Sequence, residues 1–196
     1  MNVNKVTAKR AALPARDRIL KTAHDLFYRE GIRATGIDRI IAESRVTKVT
    51  FYRHFPSKND LIKAVLEYRH RVWMAWFVDA LNRRRKMGLN ALVSALEEWF
   101  SDRGYRGCAF INAVVEVGGV LPEAVEISRQ HKQDMMQTIS TLLPASSHRK
   151  RDAEAVAMAV DGAIVRAQMA ETPGMALKVL KTLLGSIQAE AKRDAR

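Results

Sequence analysis

A single cysteine, Cys108, in 196 residues excludes an internal disulfide and any metal site built on several thiolates. No run of about 18 apolar residues occurs, so no segment is expected to cross a membrane as a helix. The opening stretch, MNVNKVTAKRAALPARDR, carries basic residues but lacks the apolar stretch of a signal peptide. These absences lead us to expect a cytoplasmic protein. Sustained apolar–polar alternation is missing, so strand signals are poor and the fold is predicted to be all-α. There is no phosphate-cradling glycine loop. The five histidines (His24, His54, His70, His131 and His148) show no metal-ligand spacing beyond a weak one between His131 and nearby acids, and no cofactor is expected.

What is present is apolar content and positive charge. Hydrophobic residues make up 47% of the chain, enough for a substantial core. The net charge is +12 and the pI near 10.2. Residues 1–60 hold 13 Lys/Arg against 6 Asp/Glu, a net of +7, so the first third carries more than half the excess. Such concentration points to a polyanion, most often nucleic acid. The alternative is charge that only maintains solubility.

Helical signals run along most of the chain. Residues 1–15 read as a flexible basic arm. From Arg16 to Arg29, the residues Ile19, Ala23, Leu26 and Phe27 share a face, and Gly31 supplies the stop. Thr35 and Asp38 have the spacing of a capping box for a second helix faced by Ile37, Ile40 and Ile41. Ser44–Val46 is a turn. Thr47 is placed to cap a third helix to about Phe55, and Ser57 with Asp60 to cap a long one from about Ser57 to Arg84. Two short helices joined by a tight turn and backed by a third make a helix-turn-helix unit. Val46, Phe51 and Phe55 point inward. Thr47, Lys48 and Thr50 are left to reach base edges or phosphates, with Tyr52, His54 and Lys58 placed for phosphate.

The run RDRILKTAHDLFYREGIRATGIDRIIAESRVTKVTFYRHFPSKNDLIKAVL, Arg16 to Leu66, resembles the DNA-binding domain of the TetR family of bacterial transcriptional regulators. The IL.TA..LF...G opening, the T.Y.HF.SK..L ending and their spacing carry the resemblance. It implies an all-α fold with a DNA-binding head over residues 16–62 and an effector-binding, dimerising domain over 63–196. The implied partners are a double-stranded DNA operator, a small-molecule effector and a second copy of the chain. The candidate DNA-binding set is Thr35, Arg45, Thr47, Lys48, Thr50, Tyr52, His54 and Lys58. Two positions depart from the family pattern. Arg45 stands where a turn glycine is usual, and a left-handed backbone there would cost about 1 kcal/mol. Val49 replaces a small residue; it either meets a thymine methyl or packs against Ile37.

The remainder is less specific. Arg83–Asn90 reads as a solvated corner. Helices are expected from Asn90 to about Arg103, Cys108 to Val117, Pro122 to Leu143, Asp152 to Ala170 and Pro173 to Ala191. Ala153, Ala157, Val160, Ile164 and Ala167 form one apolar stripe; Leu177, Leu180, Leu184 and Ile187 form another. These are either internal core or a two-fold four-helix interface, and the resemblance favours the interface, with Ala157, Val160, Ile164, Leu180, Leu184 and Ile187 at its centre. Candidate effector-lining residues are Trp73, Trp76, Phe77 and Phe100, then Phe110, Asn112, Glu116 and Met135. Glu116 in an apolar pocket would favour a cationic ligand. Cys108, near Arg103 and Arg106, is either a thiol sensor or a small packed residue. Cys108 with His131 has no orienting third group, so an enzyme is not expected. A ligand-independent architectural DNA-binding protein is a further alternative, separable by sequence specificity. The reading favoured is a ligand-responsive repressor that leaves a pseudo-palindromic operator when its effector binds.

Overall fold

The computed structural model describes residues 13–194; most of the basic arm expected over residues 1–15 lies outside them. Among the described residues there are nine α-helices and no strand. They are α1 (Ala15–Glu30), α2 (Ile37–Ser44), α3 (Lys48–His54), α4 (Lys58–Asn82), α5 (Asn90–Phe100), α6 (Ala109–Val117), α7 (Pro122–Ser140), α8 (Arg149–Met169) and α9 (Gly174–Asp194), with a 3-10 turn at Arg85–Met87. The helices form two compact units. The first takes the chain through Arg69 together with Ala109–Ser128; the second takes His70–Cys108 and the chain from Arg129 onward.

In the first unit, α1 packs on α2 and α3, and Ile19, Ala23, Leu26 and Phe27 of α1 are buried, as are Ile40 of α2 and Phe51 of α3. Phe51 and Phe55 stack at a tilt, 6.3 Å between centroids. Gly31 closes α1 at φ 95°, a conformation that costs a side-chain-bearing residue strain. The second helix starts differently from the expected capping box. Gly36, with no side chain to offer, occupies the N-cap of α2. Thr35 is 0% exposed, and its hydroxyl donates to the Gly31 carbonyl at 2.7 Å. Thr35 therefore ties the α1–α2 connection together and is removed from the DNA-facing set.

The turn between α2 and α3 is a Schellman motif. The Val46 amide donates to the Ile41 carbonyl and the Arg45 amide to Ala42, with Arg45 left-handed at φ 54° and ψ 50°. Arg18 of α1 holds this turn from behind. Its guanidinium donates to the carbonyls of Leu13 (2.9 Å), Ser44 (3.1 Å) and Arg45 (3.3 Å). Thr47 and Ser57 cap as expected: the Thr50 amide donates to Thr47 Oγ1 and the Asp60 amide to Ser57 Oγ, both at 3.1 Å. The Ser57 hydroxyl donates to Asp60 Oδ2, which holds that carboxyl below its ordinary range, with Lys63 adding to the effect.

The second unit is built on aromatic packing. Trp73 stacks on Phe77 at 4.7 Å and meets Trp76 and Trp99 at 5.8 and 5.4 Å. Helix α9 packs on α8 and on α5. The corner after α4 is charge-paired: Arg83 bonds Asp79 and Glu98, and Arg84 bonds Glu98. Helix α5 stops at Phe100, short of Arg103, because Asp102 accepts the Gly104 amide in an Asx turn. Helix α7 stops at Ser140, and the next three amides make i→i−3 bonds that tighten its end.

The stripe expected at the two-fold interface faces its own chain. Ala157, Val160, Ile164, Leu180 and Leu184 are buried between α8, α9 and their neighbours, and Ile187 is half-buried. Both helices are apolar on two sides, and periodicity does not say which side meets the same chain. The side left exposed carries Met158, Gly162 and Met169 on α8 and Met175, Val179 and Leu183 on α9.

Replacing Arg18 by glutamine removes the guanidinium bonds to two carbonyls of the α2–α3 turn, Ser44 and Arg45, and to that of Leu13. Urea unfolding followed by circular dichroism should show a loss of about 1–3 kcal/mol.

Candidate nucleic-acid interface

Helix α3 has only seven residues, so one face packs and the other is free. Phe51 is buried, and Lys48, Val49, Tyr52 and Arg53 share the opposite, exposed face. Val49 is 70% exposed, which removes packing against Ile37 as its role and leaves its methyls pointing outward. The Tyr52 ring is 39% exposed and meets Phe51 edge-on at 5.3 Å, so its hydroxyl end stands away from the core. Arg53 was not singled out from sequence; its place one residue beyond Tyr52 on the free face was the available signal. Thr47 Oγ1 is engaged as cap acceptor and lies 2.9 Å from Thr50 Oγ1, so both hydroxyls are held at the start of α3.

Around this face, Arg45 is exposed and His54 is half-buried. Lys58 stands in the first turn of α4, with its ammonium 6.0 Å from the centre of the Phe27 ring. Burial holds Lys58 below its ordinary value, and the charge of Glu116 works in the opposite direction. Arg39 is a cation already committed, paired with Glu30 and with Glu43. The arrangement offers hydroxyl, ammonium and guanidinium donors around one apolar side chain, the mixture that reads base edges and grips phosphates.

The expected effector-lining residues fall into two groups. Phe110, Asn112 and Glu116 belong to the first unit; Trp73, Trp76, Phe77, Phe100 and Met135 belong to the second. In the second group, Trp73, Phe77, Phe100 and Met135 are buried core, and the Trp76 indole donates to Glu98 at 3.3 Å. Trp73 Nε1 is buried without a hydrogen-bond partner. His131 is buried, with its Nδ1 3.2 Å from Nδ1 of His70 and its ring edge-on to Trp73. Cys108 is 4% exposed, which supports the packed-residue alternative over an accessible thiol.

In the first unit, Asn112 and Glu116 line a crevice whose other walls come from α1 and α4, including His24, Phe27, Ile62 and Arg69. Glu116 is not a free carboxylate there. Its Oε2 accepts the Arg33 amide at 2.9 Å, and its backbone carbonyl accepts from Arg33 Nε at 2.5 Å. A Cβ on residue 31 would lie 3.1 Å from the same Oε2, so the small size of Gly31 keeps room for this contact. The expectation of a cationic ligand rested on an uncommitted Glu116. Its partner lies 83 positions away in sequence, beyond any local pattern.

A family model described as bacterial regulatory proteins, tetR family, matches residues 19–65. Among solved structures, a TetR-family transcriptional regulator from Streptomyces coelicolor is 31% identical, with a TM-score of 0.77, covering 93% of this chain and 96% of that one. The regulatory protein TetR from Rhodobacter sphaeroides is 22% identical with a TM-score of 0.73, covering 88% of this chain and 98% of that one, a likeness of fold. An uncharacterized HTH-type transcriptional regulator in the lacX 3' region of Lactococcus lactis subsp. lactis is 26% identical over 134 residues, 66% of this chain and 68% of that protein.

Changing Glu116 to alanine leaves the Arg33 amide without its acceptor. Hydrogen exchange should show that amide exchanging at least about tenfold faster than in the parent protein, the ratio expected for losing a charge-assisted bond.

Proposed function

The chain belongs to the TetR family of bacterial transcriptional regulators, and on that premise we propose that it is a homodimeric repressor which releases a pseudo-palindromic operator when a small molecule binds. The family relation makes it a DNA-binding regulator and not an enzyme. Regulators of this family bind DNA as dimers and respond to small-molecule effectors. A protein acting on an operator works in the bacterial cytoplasm.

The observation that carries the reading is the exposed face of α3. In this proposal Lys48, Val49 and Arg53 enter the major groove, with Val49 reading a thymine methyl. Thr47 and Thr50 sit at the groove edge. Tyr52, His54 and Lys58 hold phosphates on one side and Arg45 holds them on the other. The exposed apolar side of α8 and α9 supports the dimer. Gly162 lets a partner backbone approach, and Met158, Met169, Met175, Val179 and Leu183 supply apolar area around it. Two heads spaced by roughly 34–36 Å would then meet successive major grooves. The effector site is the crevice of α1, α4 and α6, so that the ligand acts within the unit that carries α3. Its effect on DNA cannot exceed its preference for the released state.

The deciding experiment is fluorescence anisotropy on DNA upstream of the chain's own gene against random DNA at matched salt. A specific site should bind about 10³-fold tighter or more; equal binding would make this an architectural protein. Lys58→Ala should weaken binding to all sequences alike and reduce the salt slope by about 1. Val49→Ala should instead lower discrimination at one base pair by about 1 kcal/mol. On the dimer face, Val179→Glu should turn the protein monomeric in sedimentation, with its helical circular dichroism kept and its operator affinity lost.

A further inference from the structure

The crevice of α1, α4 and α6 contains one cation that no carboxylate neutralises. The Arg69 guanidinium lies over the Tyr28 ring at 4.2 Å, and its Nη1 lies 3.3 Å from His24 Nε2. No ion pair to Arg69 occurs among the described residues. The histidine fixes the direction of the second contact. Asp25 Oδ1 lies 2.8 Å from His24 Nδ1, so the proton of the neutral ring sits on Nδ1 and Nε2 accepts from Arg69. That engages one of the five guanidinium N–H groups. The Tyr28 ring covers one side of the guanidinium, and its remaining N–H groups are left for an acceptor.

The other charged group in the crevice does not compete for Arg69. Glu116 is held by the Arg33 amide and lies against Gly31. The remaining walls include buried apolar residues of α1 and α4, among them Phe27, Ile62, Val65 and Leu66. The crevice is open to solvent on one side, and its inner space is about 30 Å³, room for about two waters or one carboxylate group. An apolar wall and a planar donor fork suit one class of molecule. We propose that this crevice binds a small organic monocarboxylate, of about the size of benzoate, whose carboxylate is gripped by Arg69 while its apolar body lies against α4. The charge is opposite to that expected from Glu116 in the sequence. The two charges have exchanged availability: the carboxylate is taken by a backbone amide, while the guanidinium meets no carboxylate and keeps N–H groups to donate.

This assignment deepens the reading of the chain as a ligand-responsive regulator, and rests on it only for the consequence at DNA. Calorimetric titration of the full chain with benzoate, benzamide and inorganic phosphate tests the site. Benzoate should bind, while the isosteric neutral amide and phosphate should bind at least about tenfold more weakly, the difference expected for a charge-assisted pair. Arg69→Gln should lose the preference for benzoate over benzamide. Arg69→Lys, which keeps the charge without the fork, should fall between the two, and circular dichroism shows that each variant is folded. No benzoate binding, equal binding of benzamide, or an unchanged preference in folded Arg69→Gln would overturn the proposal. Phosphate binding as tightly as benzoate would overturn the organic part of it. Operator binding is measured separately with and without benzoate. Binding to the crevice without release of DNA would leave the site standing and sink the regulatory reading.

Discussion

Arg18 presents a planar fork of donors to the carbonyls where α2 ends, and the placement of the exposed α3 face depends on that contact. A helix C-terminus leaves carbonyls unbonded, and a turn as tight as Ser44–Val46 leaves few ways to satisfy them. The Schellman bonds take two, and Arg18 takes those of Ser44 and Arg45. With the turn bonded to α1, the direction in which α3 leaves it is set by α1 and not by the turn residues alone. This also explains why a residue other than glycine is tolerated at position 45. The left-handed backbone costs about 1 kcal/mol, and the Arg18 bond to the Arg45 carbonyl helps offset it.

How legible this was depended on how local each signal is. Caps and stops lie within four residues of the groups they serve, so Thr47, Ser57 and Gly31 could be read directly. Thr35 misled because its spacing to Asp38 fits a capping box, while its hydroxyl found a nearer acceptor in the carbonyl of Gly31, four residues back. The face of α3 was readable apart from Arg53, since Phe51 and Phe55 identify the packed side. The stripes on α8 and α9 are apolar as read, and of the two alternatives their burial within the chain favours internal core. Those helices carry apolar residues around more than one face, and the side that meets a neighbour is settled by packing.

The crevice shows the limit most clearly. A polar pair one turn apart on an apolar helix was reason enough to single out Asn112 and Glu116. The inference from a carboxylate to a cationic ligand needs an available carboxylate, because availability, and not presence, decides what a charge attracts. Glu116 met a backbone amide from a distant loop. Arg69 lies on a helix with many charges, and its contacts, a ring and an imidazole of α1, lie outside any local pattern. Nor does any local pattern reveal that Ala109–Ser128 joins the first unit.

The aromatic cluster of Trp73, Trp76 and Trp99 has a spectroscopic consequence. The chain contains three tryptophans, and all of them belong to the second unit. Intrinsic indole emission is therefore a private reporter of that unit, while far-ultraviolet dichroism weighs both units by their helical content. The two optical signals divide the molecule along its own seam. Comparing their transitions in denaturant distinguishes one cooperative unfolding event from two without any label being attached.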